Sequence, residues 1–78
     1  MHAIVIHDLP SFRVVSHGHG MAYTFHHKPS AREVWFQGEN AIHFEEALDS
    51  YERHQPMRSY ESIFEALWGE YSIISEPA

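Results

Sequence analysis

The sequence predicts an α+β fold, in which an antiparallel β-sheet of three or four strands is followed by two α-helices packed on one face of the sheet. Hydrophobic and polar side chains alternate along residues 12–37, and the period becomes that of a helix from Ala41 onward. Glycine- or proline-containing turns separate the segments. The length of 78 residues allows one domain, spanning 1–78.

Three strands are predicted within 12–37, and a fourth is left open. The glycine-rich segment 18–20 is typical of a hairpin turn, and proline suits the second position of the turn at 28–31. The segment 1–11 begins with a short apolar run, so we expect an N-terminal strand or an arm there. The three predicted strands are 12–17, 21–27 and 32–37.

The hairpin register decides which side chains share a face, because a shift of one residue moves every side chain of a strand to the other face. A two-residue loop at 19–20 and a four-residue loop at 28–31 place the large apolar side chains on one face. A three-residue first loop would separate them, so we expect the two-residue loop. The core face then consists of Phe12, Val14, Ser16, Tyr23, Phe25, Val34 and Phe36.

The opposite face carries Trp35 in its middle row, beside Val15 and Thr24. A tryptophan next to small side chains, with polar groups around it, is typical of the centre of a protein–protein interface. Two interpretations stay open. This face binds a protein partner, or Ile4 and Ile6 of the N-terminal arm cover Trp35.

Two helices are predicted after the strands, at 39–54 and 59–71. Asn40 is expected to cap the first helix and Ser59 the second, because both side chains accept hydrogen bonds from free backbone N–H groups. Residues 72–78 are expected to form a tail. The apolar stripes at helical spacing are Ala41, Phe44, Ala47, Leu48 and Tyr51 in the first helix, and Tyr60, Ile63, Phe64, Leu67, Trp68 and Tyr71 in the second.

Charge is distributed unevenly along the chain. Residues 1–32 carry three cations against one acid, a net charge of +2, whereas residues 33–78 carry ten acids against two arginines, a net charge of −8. This balance argues against nucleic acid as a partner, because phosphate binding needs clustered lysine and arginine. A strip of acids on the first helix either binds a basic protein surface or remains solvated. Its residues are Glu45, Glu46, Asp49 and Glu52.

Eight histidines are several times the ordinary number for a chain of 78 residues. They suggest a module that responds to a metal or to pH, because imidazole binds transition metals and titrates near neutrality. The spacing gives little support for a metal site. Adjacent His26 and His27 point to opposite faces of a strand, and no four ligands converge as structural zinc requires. We therefore assign no metal-binding or cofactor-binding residue and no cofactor.

No catalytic constellation is present in the sequence. The chain has no cysteine, no Gly-x-Ser-x-Gly nucleophile motif and no phosphate-binding loop, so we assign no catalytic residue and expect a protein that is not an enzyme. The N-terminal segment is not expected to be a signal peptide, and no apolar stretch reaches about 18 residues. We therefore expect a cytoplasmic protein with no membrane contact.

The last predicted strand leads into the first helix through a short motif, which is followed by spaced apolar residues. These residues are Val34-Trp35-Phe36-Gln37-Gly38-Glu39-Asn40-Ala41, then Phe44 and Leu48, then Tyr60 and Leu67-Trp68. This junction resembles that of small uncharacterised phage and prophage proteins, in which a strand ends in Gln-Gly, two polar residues and Ala, and opens an amphipathic helix; here Asn40 stands at the second acidic position. The resemblance covers about residues 21–71 and implies an accessory role in host takeover or counter-defence, of which anti-CRISPR proteins are examples.

These observations together favour a small protein-binding module without enzymatic activity, whose partner is a protein that the sequence does not identify. The candidate contact residues are Val15, Thr24, Trp35, Glu45, Glu46, Asp49 and Glu52. Two alternatives remain open: a histidine-based module that responds to metal or pH, and a structural protein that forms homodimers or larger oligomers through the face of Trp35 or a free sheet edge.

Overall fold

The sheet has five antiparallel strands in chain order, with two helices on one face. The computed structural model describes residues 3–78, so the first two residues of the predicted segment 1–11 lie outside the described part. The α+β class is confirmed, although the strand number exceeds the predicted three or four. The elements are β1 (Ala3–Asp8), β2 (Phe12–His17), β3 (Ala22–His27), β4 (Arg32–Gln37), α1 (Glu39–His54), α2 (Tyr60–Tyr71), a 3₁₀ turn (Ser72–Ile74) and β5 (Glu76–Pro77).

The register expected for the two hairpins is confirmed. Ser16 pairs with Tyr23 across the first hairpin, and His27 pairs with Arg32 across the second. In the first turn Gly18, His19 and Gly20 all have positive φ, of 59°, 58° and 91°. His19 and Gly20 are the two central residues between Gly18 and Met21, and their φ angles are typical of a type I′ turn, whose twist matches that of the flanking strands. The turn therefore fixes the two-residue loop and with it the face to which each side chain points.

Both chain ends add strands that local sequence patterns describe incompletely. Within the predicted segment 1–11, Ala3–Asp8 forms β1, which pairs with β2 and contains a bulge between Val5 and His7. The segment 72–78, expected to be a tail, contains the 3₁₀ turn and β5, which pairs with β4. The reason is a contact over long sequence distance: the Arg32 guanidinium donates to the Ser75 hydroxyl at 2.8 Å and also to the Ser75 carbonyl.

The expected cap of α1 is wrong, whereas that of α2 is confirmed. Gly38, not Asn40, is the N-cap residue of α1, and Asn40 lies inside the first turn of the helix. The chain leaves β4 through a sharp bend with φ of 60° and ψ of −130° at Gly38, a conformation that only glycine adopts readily. In α2, the Ser62 N–H donates to the Ser59 hydroxyl at 3.2 Å.

The core lies between the sheet and the two helices, and aromatic rings dominate it. Phe44 of α1 lies at its centre and is 1% exposed, with ring centroids 4.6 Å from Phe36 and 5.4 Å from Phe25. Phe64 of α2 reaches the same layer, 5.5 Å from Phe25. The buried cluster is Phe12, Val14, Tyr23, Phe25, Val34, Phe36, Ala41, Phe44, Ile63, Phe64 and Leu67.

Because Phe44 joins α1 to two strands, its truncation should be costly. We expect Phe44→Ala to lower the free energy of unfolding by about 3–5 kcal/mol, the usual range for a buried phenylalanine. Ile42→Ala on the same helix is the control, because Ile42 is 54% exposed and should change stability far less. Urea denaturation of both variants measures the difference, and equal losses would contradict the central position of Phe44.

Turn conformation gives a second stability test. Gly20 has a positive φ, which residues with a side chain rarely adopt, and a Cβ added there would lie 3.2 Å from the Tyr23 hydroxyl oxygen. We therefore expect Gly20→Ala to lower the free energy of unfolding by about 1–2 kcal/mol. A Cβ added at Gly69 of α2 would meet no atom within 4 Å. Gly69→Ala should therefore raise the free energy of unfolding by about 1 kcal/mol, because alanine favours the helix. Opposite shifts of the urea midpoint are expected, and a stabilising Gly20→Ala would exclude the type I′ geometry.

Candidate functional site

The face of the sheet opposite the core is the first candidate surface. We call it the open sheet face and define it by Val5, Val15, His17, Thr24 and Trp35, which the strand registers place on one side. Both helices pack on the other side, against the buried cluster. Trp35 is therefore 50% exposed and Val5 51% exposed. The interpretation that the N-terminal arm covers Trp35 is wrong, because β1 extends the sheet beyond β2 and lies three strands away from β4.

Neighbouring side chains hold the indole of Trp35 in a defined orientation. Its Nε1–H donates to the Gln37 side-chain oxygen at 3.1 Å, and the His17 ring lies 4.9 Å away, tilted by 49°. The His17 Nε2 is 2.8 Å from the Thr24 hydroxyl, which fixes the imidazole in turn. The tryptophan is thus exposed but positioned, which lowers the entropy that a partner must remove on binding.

An open cavity of about 620 Å³ lies beside Trp35, where the first hairpin turn approaches the junction between β4 and α1. This volume falls within the usual range of ligand pockets, roughly 300–1,000 Å³. The side chain of Met21 contributes an adaptable apolar wall and is 77% exposed. The cavity is lined by His17, Gly18, Met21, Ala22, Trp35, Gln37 and Gly38.

Charges at the far end of the open sheet face are largely paired. The Lys28 ammonium binds the Asp8 carboxylate at 2.7 Å, and the Arg13 guanidinium is 3.5 Å from the same oxygen. These hydrogen bonds and charges lower the pKa of Asp8. His26 and Glu33 lie 3.9 Å apart in the adjacent strands. The open sheet face therefore combines an apolar middle with an end whose charges largely offset one another.

The acidic strip of α1 lies on the other side of the sheet and does not join Trp35 in one surface. Glu45 accepts a hydrogen bond from the buried Tyr23 hydroxyl, and burial together with this carboxylate raises the pKa of Tyr23 to about 12. Glu52 accepts from the Tyr60 hydroxyl at 2.7 Å, which raises the pKa of Tyr60.

The two other acids of this strip make no hydrogen bond to the core. Asp49 pairs with Arg53 one turn later in α1, with N and O atoms 3.1 Å apart, and both side chains are exposed. Glu46 is also exposed. Half of the predicted strip thus tethers the helix layer through tyrosine hydroxyls, and the other half remains on the solvated face of α1.

The histidines take up separate structural positions. Among residues 3–78, no group of three or more His, Cys, Asp or Glu side chains could hold a metal ion. His27 stacks on Trp68 with ring centroids 4.8 Å apart, and its Nδ1 is 2.7 Å from the Ser30 hydroxyl. His7 packs against the rings of Tyr60 and Phe64, at 4.7 Å and 5.1 Å. This last contact could not be predicted from local patterns, because the bulge in β1 changes which face His7 occupies.

Sequence reasoning also missed Met21 and the cavity beside it. The residue was expected to begin a strand, whereas β3 begins at Ala22 and Met21 belongs to the hairpin turn. That Gly18 and Gly38 line the same cavity follows from the pairing of β2 with β3 and of β3 with β4, and is not visible in any local pattern. In the described part of the chain, no helix is long and apolar enough to cross a membrane.

The environment of His7 makes stability depend on pH. Burial lowers the pKa of His7 below its ordinary value of 6.5, and the nearby Glu52 carboxylate opposes this only in part. As the pH falls through 6.5, the unfolded chain binds a proton at His7 more readily than the folded chain, so the folded state loses stability.

We expect the midpoint of thermal unfolding to fall between pH 7 and pH 5, and His7→Phe to reduce this fall while keeping the ring contacts. His43→Phe is the matched control, because His43 is exposed on α1 and its replacement should leave the His7 contribution in place. Thermal melts by circular dichroism across this pH range provide the measurement. An unchanged pH dependence in His7→Phe would show that His7 does not contribute.

Comparison with known proteins found no matching family model, no matching curated protein and no matching solved structure.

Proposed function

We propose that the protein is a non-enzymatic binding module whose open sheet face docks onto another protein, with Trp35 as its anchor. The observation that carries the proposal is a half-exposed tryptophan, held by Gln37 and His17, at the rim of an open cavity. Exposed aromatic side chains of this kind dominate the binding energy of many interfaces. Leaving such a surface in water has no benefit for folding, because the core on the other face is complete without it.

The cavity supplies the second half of the proposed interface. A partner that covers Trp35 would also place a side chain against Met21 and Ala22, where the thioether can adapt to its shape. Val15 and Thr24 extend the contact across the middle row toward β1. A flat, apolar middle with paired charges at one end fits a partner surface that is itself apolar and only weakly charged.

The acidic strip has a different place in the proposal. Glu45 binds Tyr23 of β3 and Glu52 binds Tyr60 of α2, so Glu46 and the Arg53-paired Asp49 are the acids of the strip on the solvated face of α1, away from Trp35. We propose that their charge orients the approaching molecule and does not form the main contact, because charges outside an interface act on the association rate more than on affinity.

Of the alternatives, a metal- or pH-responsive module has less support, because the histidines are dispersed over both layers. A more specific proposal is an accessory role in host takeover or counter-defence, which depends on the resemblance of the strand-to-helix junction to that of phage and prophage proteins. It would place the partner among host proteins.

The test is capture of a protein partner from an extract of bacterial cells, followed by measurement of the affinity of that partner for purified variants. We expect Trp35→Ala to weaken binding by about 30-fold or more, the effect of losing an interface hot spot. Met21→Ala should weaken it by a smaller factor. Met57→Ala is the matched control, since Met57 is 96% exposed and lies outside the open sheet face.

Three outcomes would contradict the proposal. The unmodified protein could retain no partner, Met57→Ala could weaken binding as much as Met21→Ala, or Trp35→Ala and Met21→Ala could both leave affinity unchanged. Glu46→Lys separates the two surfaces, because loss of affinity in this variant alone would transfer the interface to α1. Far-UV circular dichroism of each variant confirms that the fold is retained.

A further inference from the structure

The outer edge of β1 is a second unpartnered surface, distinct from the open sheet face. In the described part of the chain only β2 pairs with β1, so the N–H and C=O groups on its outer side point to solvent. At the opposite edge β5 covers β4 at Arg32 and Glu33, and the Arg32 guanidinium holds that segment in place. The chain therefore partly covers one edge of the sheet with β5 and leaves the outer edge of β1 unpaired.

The side chains of this edge are aliphatic and uncharged where the strand is regular. Ile4 is 52% exposed, Val5 51% and Ile6 43%. The acid at the end of the strand, Asp8, is neutralised by Lys28 and Arg13. Exposed edge strands in natural proteins usually carry a lysine, a proline or a bulge that prevents pairing. Here the bulge follows Val5, so Ala3–Val5 remains a regular, uncharged template for another strand.

Electrostatics limits where on the surface two copies of the chain can meet. The chain carries a net charge of −6, so two copies repel each other over most of their surfaces. The regular part of the β1 edge has no charge of its own, and its acid is already paired, so two copies can approach there at low electrostatic cost. Two identical antiparallel strands are also self-complementary about a two-fold axis.

We propose that β1 pairs antiparallel with β1 of a second copy, with Ile4 facing Ile4 at the two-fold axis and Ala3 opposite Val5. Ile4 shares the helix-side face with Ser16, so the two isoleucines cover each other where no helix covers them. Val5 lies on the open sheet face, which becomes continuous across the dimer. This association uses none of the residues around Trp35 and goes beyond the binding function proposed above.

The expected dimer is weak. Pairing of one short strand buries less than the roughly 1,200 Å² of a standard stable interface, so association should depend on protein concentration. On the helix side of the sheet, His7 already packs against Tyr60 and Phe64 within each copy, so its side chain adds no new contact to the dimer. Sedimentation equilibrium of the full chain from micromolar concentration to about 1 mM covers the range in which such a dimer forms.

Charge-swap variants at the two-fold axis provide the test. Like charges directly opposite each other destabilise strand pairs, whereas opposite charges stabilise them. Ile4→Lys and Ile4→Glu should therefore each be monomeric at concentrations where the unmodified protein is a dimer, and their equimolar mixture should restore the dimer. Ile42→Lys is the matched control, because Ile42 is 54% exposed on α1 and the same substitution there should leave the dimer intact.

Each contrary result overturns the proposal. If the unmodified protein is monomeric at about 1 mM, β1 does not pair with a second copy, and an extended segment of a different protein becomes the candidate occupant of the edge. A mixture of the two charged variants that stays monomeric would exclude pairing at Ile4. A dimer that Trp35→Ala abolishes and the Ile4 variants retain would place self-association on the open sheet face. Circular dichroism of the Ile4 variants shows whether their fold is intact, and Trp35→Ala reports on the other surface independently.

Discussion

Burial of a single sheet face by both helices is the constraint on which the rest of this structure depends. The aromatic rings of Phe36, Phe25 and Phe44 meet between the sheet and α1, and Phe64 extends the same layer under α2. A chain of this size has enough apolar side chains for one such layer. The second face of the sheet is left without a cover, so the geometry that completes the core also exposes Trp35.

This division of the sheet into two faces depends on turn chemistry as much as on hydrophobic pattern. The type I′ turn at His19 and Gly20 sets the register of β2 against β3, and a shift of one residue would exchange the two faces. Phe12 and Val14 of β2 would then point to the face opposite that of Tyr23 and Phe25. The same turn forms one wall of the cavity beside Trp35, so the feature that fixes the fold also shapes the candidate site.

Local patterns were sufficient for the elements whose partners are near in sequence. Alternation and the turn residues predicted the hairpin register, and the helical stripe predicted α1 across 39–54. They failed where a distant residue decides the structure. Arg32 holds the final segment through Ser75, 43 positions later, and no alternation marks β5. For the site, Trp35 was identified from the register, whereas the cavity depends on how the first hairpin turn lies beside the end of β4, and the tyrosine bonds of Glu45 and Glu52 require the packed helices.

The hydrogen bonds from tyrosine hydroxyls to Glu45 and Glu52 also help to keep charged and apolar groups on different sides of the molecule. Glu45 and Glu52 keep part of the negative charge in the helix layer, while the cations Arg13 and Lys28 neutralise Asp8 at the sheet. The field of the molecule therefore comes mainly from one side, and its exposed apolar groups lie on the other side and along the β1 edge. In the proposed binding function, the charge would orient an approaching molecule and the exposed apolar groups would bind it. Because contact at the open sheet face would then depend on shape and apolar burial, we expect the proposed partner to be recognised through the fit of side chains around Trp35 and not through matching charge.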